Sequence, residues 1–577
     1  MDLSNNKLNG AIPTLLSNLS HLIYCDLSYN SFSGSFPNVY RNLIKLEYLA
    51  LSSNNLTGQV PSSLFHLPQL SLLGLSFNKL VGLIPIEIKK RSKLSSLGLG
   101  YNMLNGTIPQ WCYYLSTLLH LDLSNNQLTG SIGGFSTYFL QYLYLSNNNL
   151  QGHFPNSIFE LQNLTHLYLS STNLSGVVDF HQFSELKNLI FLNLSHNSFL
   201  SINIDSKTES ISHYLEEIYL SSTNINSFPK FLAQLPNLRT LDLSNNNIHG
   251  KISKWFQKKL LNTWENIGYI DLSFNKLQGD LLIPPDIIQY FLLSNNNFIG
   301  NISSTFCNTW GLSVLNLAHN KLKGIIPECL GTLPFLFVLD LQINNLYGSM
   351  PRTFSKENKL ETIKLNGNHL EGPLPKSLAQ CTKLEVLDLG ENNIEDTFPN
   401  WLETLQELQV LNLKSNKFHG TITCSSTKHP FPKLRIFDVS NNNFSGPLPT
   451  SCIKNFQGMM NVNDSQIGLQ YMGNSNYYND SVVVTMKGFS MELTKILTTF
   501  TTIDLSNNMF DGEIPQVFGE LHSLKGLNLS INGIKGTIPQ SLSHLKNLEW
   551  LDLSRNQLTG VIPMTLKNLN FLSFMQK

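Results

Sequence analysis

Five aromatic side chains recur at close to one fixed interval in a chain with few other chemically active clusters: Tyr142 with Tyr144, His166 with Tyr168, and Tyr219. Exposed rings in such a row suit contact chemistry, because large amphipathic aromatics anchor interfaces at little entropic cost. Bond-making chemistry has no such footing. HExxH, the glycine-rich phosphate loop GxxxxGKS/T, GxSxG and the HRD and DFG pair of kinases are all missing, so no catalytic residue is assigned. The seven cysteines form no CxxC pair and no Cys/His cluster at zinc spacing. Neither a metal nor another cofactor is expected. A plainer account of the tyrosines stands beside the first: tyrosine favours strands and pairs across neighbouring ones.

What positions these rings is a phrase of about 24 residues, LxxLxLSxNxLxGxIP, as in Leu94 to Pro109. Its asparagine stands at 20 positions from Asn6 to Asn556, and Thr172 and Thr223 take its place in two more repeats, giving 22 repeats and a fragment. A period this short implies a solenoid whose units bury their leucines only against neighbours. Alternation in xLxL predicts a short strand with one buried face, and stacking makes a long parallel sheet with an open concave face. Tyr144, Tyr168 and Tyr219 share the column between the two leucines, which otherwise runs through acidic or small residues such as Asp122, Asp242, Asp340, Asp388 and Asp438, with Lys364 among them. The asparagine amide should bond backbone groups of adjacent turns that would otherwise be buried unpaired. A weaker ladder and local irregularity are expected at Thr172 and Thr223. LxGxIP predicts a glycine turn, short second β segments and 3₁₀ turns on the outer side rather than long helices. Tyr29, Phe77, Tyr101 and Phe274, each just before the asparagine, read as single exposed aromatics.

Lys plus Arg and Asp plus Glu are equal at 39, and only 14% of the 577 residues are charged, so no global field draws nucleic acid or an anionic membrane. Eleven N-x-S/T sequons, at Asn18, Asn55, Asn105, Asn163, Asn173, Asn193, Asn301, Asn443, Asn463, Asn479 and Asn528, point to the secretory route. Met1 opens in the second half of a repeat, with no signal peptide before it, and Lys577 closes inside another. Both ends are therefore expected to be cut. No apolar run is long enough to cross a bilayer, so membrane attachment would need a segment outside this sequence. Cys307 and Cys329 lie nearly one repeat apart, and Cys424 and Cys452 bracket one repeat. Both pairs are candidates for disulfides, although sequence does not fix connectivity. Cys25 reads as a free buried thiol.

The repeat phrase resembles the plant-type extracellular leucine-rich repeat of receptor kinases, receptor-like proteins and polygalacturonase-inhibiting proteins. That resemblance implies an α/β repeat solenoid, mostly β: a right-handed superhelix with a long concave parallel sheet. The step from Asn442 to Asn508 is 66 residues, against 24 for most others. Residues 451–499 interrupt the array and include a β-like run, Ser481 to Met486. A tolerated surface insertion is one explanation; a binding element is the other, favoured because loops of this length are usually functional or disordered and β-branched residues oppose disorder. Tyr478, eight residues, then Lys487 and Gly488, followed by MELTKILTTFTTIDLSNNMFDGEIP, resembles receptor-like proteins of the fungal-resistance type. In that family an island between a long repeat block and the terminal repeats helps bind ligand, and the last repeats meet a co-receptor kinase. The expected organisation is a block of about 19 repeats over 1–450, an island over 451–499, and three repeats plus a partial one over 500–577.

The expected function is that of a ligand-sensing ectodomain, a fragment of a plant cell-surface receptor-like protein in defence signalling. It would lack its own kinase and act through partner receptor kinases, on the extracellular face of the plasma membrane. The ligand would be a peptide, a protein or a pathogen-derived molecule. Candidate ligand-binding residues are Tyr142, Tyr144, His166, Tyr168, Tyr219, Tyr478, Lys487 and Gly488. The alternatives are a secreted inhibitor of microbial cell-wall-degrading enzymes, or a truncated gene product without function.

Overall fold

In the computed structural model, residues 1–36, 40–204, 214–424, 429–460, 470–473 and 478–576 are described. They fall into two compact units, Met1–Lys276 and Leu277–Lys577. Each is a right-handed leucine-rich solenoid of the expected class, built from three-residue inner strands in parallel register. In the first unit, Ser96–Gly98, His120–Asp122 and Tyr142–Tyr144 pair so that Leu97, Leu121 and Leu143 stand in line. In the second, Leu315, Leu339 and Ile363 do the same. These central side chains are fully buried. Each removes a whole aliphatic side chain from water, worth roughly 1.5–3 kcal/mol, and the alternation of the strand turns its neighbours to the concave face.

The asparagine ladder has the expected role. Asn320 Nδ2 donates to the carbonyls of Leu293, Leu317 and Ala318 at 3.0, 3.2 and 3.1 Å, while its Oδ1 accepts from Phe298 N at 3.0 Å. One side chain thus satisfies four backbone groups inside the coil. The residue just before it takes a left-handed conformation that the sequence pattern did not reveal: φ is +57° at Phe77 and +54° at Tyr101. Such a conformation costs a non-glycine residue roughly 1–2 kcal/mol. Its N–H is used in compensation, as Phe77 N donates to Gly100 O at 2.9 Å. Phe77 and Tyr101 are not isolated, because their rings stack at 4.1 Å.

On the outer side, Gly106 at φ +77° makes the turn that a Cβ would oppose. After the Ile-Pro step the chain enters 3₁₀ turns such as Ser62–His66 and Lys376–Gln380. Two segments of the first unit depart from that pattern, the single α-helical turn Trp111–Tyr114 and a longer helix. Lys254–Asn262 is a nine-residue α-helix. It occupies the 29-residue step from Asn246 to Asn275, the longest of the regular steps, and buries Phe256 and Leu260.

At Thr223 the expected weakness is present: its hydroxyl donates to Leu220 O at 2.7 Å, and among the described residues its repeat adds no outer strand between Phe199–Asn203 and His249–Lys251. Thr172 behaves otherwise. Its hydroxyl lies 2.7 Å from Asn197 Oδ1 and 3.2 Å from Leu169 O, and the outer strand that follows, Asn173–Asp179, is seven residues long. Asn197 Oδ1 accepts from that hydroxyl, whereas at Thr223 the next asparagine, Asn246, accepts from the backbone N–H at 3.0 Å.

The second unit carries the interruption without breaking its sheet. Strand Ile436–Asp438 pairs directly with Thr502–Asp504 across the intervening residues, and Asn508 Nδ2 donates to Val439 O at 3.0 Å. Within the interruption lie two short helices, Thr450–Ile453 and Gln457–Met460, and an antiparallel hairpin, Val482–Met486 with Phe489–Leu493. The hairpin contains the run read as β-like.

Candidate functional site

The inserted hairpin lies over the concave face of the second unit. Val482 and Val484 alternate onto one face of their strand and, with Met472 and Ile496, pack on Val386, Val410 and Ile436, the first residues of three successive inner strands. All seven are at most 2% exposed. A concave face that the repeat alone would leave open is here the floor of a second, smaller core, and this corrects the expectation of a face open along its whole length. Asp340, Lys364, Asp388, Asn412, Asp438 and Asp504 are all buried.

Polar bonds hold the cap in register. Tyr478 Oη donates to Asp340 Oδ2 at 2.8 Å, Thr362 Oγ1 to Asp480 Oδ1 at 2.9 Å, and Lys364 Nζ to Ser481 Oγ at 2.6 Å. Burial and the adjacent Asp340 carboxylate push the Tyr478 phenol up. Burial also raises the Asp480 and Asp388 carboxyls to about 6, against the pull of Lys364 on each. Asp438 rises to about 7 through burial and its neighbour Asp504. Lys487 and Gly488, at φ +53° and +81°, form the two-residue turn of the hairpin. Two consecutive positive φ values describe a type I′ turn, whose twist matches that of the strands. The Tyr-x8-Lys-Gly pattern thus resolves into an anchor, a strand and a turn.

Beside the packed cap, the island's Tyr471–Gly473, Tyr478, Asp480 and Thr498 face the repeats across a cavity of about 350 Å³. Its repeat-side wall includes Tyr290, Val314, Phe337, Val338, Glu361, Thr362, Glu385 and Gln409. This size lies at the lower end of ligand pockets.

Repeat matching agrees with this geometry. The family described as leucine rich repeat matches residues 138–199, 311–370, 358–418 and 498–558. Further leucine-rich-repeat families match 215–257, 45–67, 433–455 and 114–133, so that together more than half of the chain is covered. The chain is a leucine-rich-repeat protein. Among curated relatives, this leucine-rich-repeat chain is 39% identical to Receptor-like protein 53 of Arabidopsis thaliana over 352 residues, covering 60% of this chain and 36% of that protein. It is 47% identical to Receptor-like protein 7 of the same plant over 379 residues, covering 61% and 39%. The chain thus spans well under half the length of these relatives. Among solved structures, the PEPR1–AtPEP1 complex superimposes with a TM-score of 0.70 at 27% identity, covering 100% of this chain and 84% of that one. The Arabidopsis receptor kinase HAESA ectodomain, in complex with an IDA peptide hormone, gives 0.67 at 27%, covering 100% and 85%. By these relationships the chain is similar to plant receptor-type leucine-rich-repeat ectodomains.

In the leucine-rich-repeat coil of the first unit, the five aromatic candidates are brought together and joined by two residues that the sequence reading passed over, His120 and Phe191. Tyr142 stacks on His166 at 4.9 Å, Tyr144 meets Tyr168 at 4.6 Å, and Tyr168 stacks on Phe191 at 4.0 Å. Phe191 in turn lies 5.2 Å from Tyr219, and His120 lies 5.4 Å from Tyr144. The Tyr219 hydroxyl at the end of the row donates to Glu217 Oε2 at 3.3 Å. Burial lowers the pKa of both His120 and His166, favouring neutral rings in the stack.

Sequon asparagines 18, 55, 105, 163, 173, 301, 443 and 479 are exposed, and Asn193 is half-buried. Asn463 lies outside the described residues. Asn528 is set apart, being buried with Nδ2 donating to Asp504 Oδ2 at 3.1 Å. Cys307 is bonded to Cys329 and Cys424 to Cys452, with Cα separations of 5.5 and 5.0 Å. The second bond ties the start of the island to the repeat before it. Cys25, Cys112 and Cys381 are free and buried. No group of three or more metal-ligating side chains occurs among the described residues, and none of their helices is long and apolar enough to cross a membrane.

The residues missed from sequence are Asp340, Thr362 and Lys364 beneath the cap and Asp480 on it, with Glu361 and Glu385 in the cavity wall. One signal was visible. Lys364 is the single cation in an acidic and small-residue column, and a lone opposite charge at a repeat position marks a place where the environment differs.

Proposed function

We propose that this chain is the ligand-sensing part of a plant cell-surface receptor-like protein in defence signalling, with the island over 451–499 as its binding element. The observation that carries this reading is the docking of the island on the repeats through Tyr478, Asp480 and Ser481, which leaves a cavity between island and sheet. Solenoids of this kind bind through their concave surfaces. Relatives of the chain are receptor-like proteins, and similar solved ectodomains are in complex with peptide ligands. One of them, HAESA, is in complex with both the peptide hormone IDA and the co-receptor SERK1.

By analogy, ligand enters at the island and concave face, and the terminal repeats carrying Asn508, Asn532 and Asn556 meet a co-receptor kinase. The protein itself supplies no kinase, and partner receptor kinases relay the signal. The complete protein sits on the extracellular face of the plasma membrane, with exposed sequons such as Asn55 and Asn163 glycosylated.

The test is affinity purification of the tagged chain, targeted to the plant cell surface, before and after exposure to fungal culture filtrate. Receptor kinases recovered with the chain, in amounts that rise after exposure, are the expected result. Inhibition of a fungal polygalacturonase without kinase recovery would replace this reading with that of a secreted inhibitor.

A further inference from the structure

The cavity beneath the island has a consistent chemistry. Three carboxylates line it, Glu361, Glu385 and Asp480, and no Lys or Arg does among the described residues. Tyr290, Phe337 and Tyr471 supply an aromatic wall. The Glu361 carboxylate makes no hydrogen bond or ion pair among the described residues, whereas that of Glu385 accepts from Gln409 Nε2 at 2.9 Å. Burial raises the pKa of both glutamates, and at Glu385 the charges of Glu361 and Asp480 raise it further. Three carboxyl groups are therefore gathered at one cavity, Glu361 and Glu385 half-buried and Asp480 buried. Lys383 and Lys433 act on Glu361 and Glu385 from outside the lining, more weakly than burial does.

A second observation concerns the rings. The chain's own ammonium groups already rest on two of them: Lys359 Nζ lies 5.7 Å from the Phe337 centroid and 4.6 Å from that of the adjoining Phe335, and Lys495 Nζ lies 5.8 Å from that of Tyr471. Ring faces within about 6 Å of a cation attract it through their quadrupole. The wall is thus of a kind that receives cations, and the carboxylates of Glu361 and Glu385 beside it take part in no direct ion pair among the described residues.

We propose that the cavity binds a cationic group on an aliphatic stem, the chemistry of a lysine or arginine side chain presented by a peptide ligand. The stem lies along Val314 and Val338, both lining residues, and the charged head meets Glu361 and Glu385. A volume of about 350 Å³ accommodates one such side chain with its hydration rather than a folded domain. This assignment rests on the ligand-sensing reading above and names the part of the ligand that the island recognises.

The experiment compares Nα-acetyl-lysine amide with Nα-acetyl-norleucine amide, which keeps the stem and lacks the ammonium, by ligand-observed NMR on the full chain. The lysine probe is expected to bind at least tenfold more tightly. The double variant Glu361→Gln with Glu385→Gln should lose that preference while keeping the wild-type thermal midpoint, and Glu357→Gln, an exposed carboxylate outside the lining, should retain it. Equal binding of the two probes, no binding of either, or a lysine preference that survives the double substitution would overturn the assignment. None of those results bears on kinase co-purification, which decides the receptor reading separately.

Discussion

Lys364→Met is the most informative single change to the cap. The side chain is 1% exposed and its ammonium donates to Ser481 Oγ, bridging repeat and island. It is also the cation whose field acts on both Asp388 and Asp480. Methionine keeps the length and the apolar stem but removes the charge, leaving Asp340, Asp388 and Asp480 buried without it. Breaking a buried charge arrangement by removing one partner costs about 3–5 kcal/mol. Nζ bonds here to a neutral hydroxyl, and the carboxylates relieve themselves by taking up protons, so the lower figure applies. At 1.36 kcal/mol per factor of ten, about 3 kcal/mol makes opening of the island roughly a hundredfold more frequent. Hydrogen exchange read by mass spectrometry over Val482–Leu493 measures this directly, since local opening governs protection. Exchange there should accelerate by that factor at pH 7, while strand Tyr142–Tyr144 in the other unit stays unchanged. Adding Asp388→Asn should recover part of the loss. Unaltered exchange in the hairpin of a folded Lys364→Met protein would refute the reasoning.

Three further outcomes follow from the same structure. Asp480 titrates at about 6 when docked against a reference value of 3.8, so its docked form binds a proton more tightly than its open form, and its contribution is present in acid and lost as pH rises through about 6. Between pH 7 and pH 5 the cap should gain about 1 kcal/mol and its hairpin should open roughly fivefold less often once intrinsic exchange is corrected for pH; loosening on acidification would contradict this. Asn320→Ala orphans four buried backbone groups at once and should destabilise the second unit by about 3 kcal/mol or more in urea unfolding; a loss under 1 kcal/mol would show that water replaces the amide. Tyr168→Ala removes the ring between Tyr144 and Phe191 and should lower the thermal midpoint of the first unit at a cost of about 1–3 kcal/mol. An unchanged midpoint would show that the stack contributes nothing to stability.

Much of this architecture was legible because its causes are local. The leucine alternation at Leu97 and Leu121, the amide of Asn320 and the turn at Gly106 each act within one or two repeats, and one period of sequence displays them. The left-handed residue before each asparagine escaped notice because its identity varies, from Phe77 to Tyr101 to Asn125, while its backbone does not. Docking of the island was beyond the sequence for a different reason. Tyr478 bonds Asp340 across 138 residues and Asp480 bonds Thr362 across 118, and nothing in either neighbourhood names the other. The interruption was visible as an absence of pattern, which marks where a binding element lies without saying what it covers. Lys364 alone hinted at the answer. The aromatic row was read correctly as a cluster, but the sequence did not show that Phe191 fills the space beside Tyr168.

Covering of the concave acidic column by the island is the claim on which the cavity and the proposed recognition depend, and carboxyl labelling tests it most directly. Carbodiimide coupling of an amine to the native chain, read by mass spectrometry, should modify exposed Asp2 and Asp286 readily and leave Asp340, Asp388 and Asp438 almost untouched. In Val484→Asp, which places a charge in the packed face of the cap, those three should become reactive. Labelling of Asp340, Asp388 and Asp438 in the unaltered protein as fast as Asp2 would show the concave face to be open, and would contradict the account.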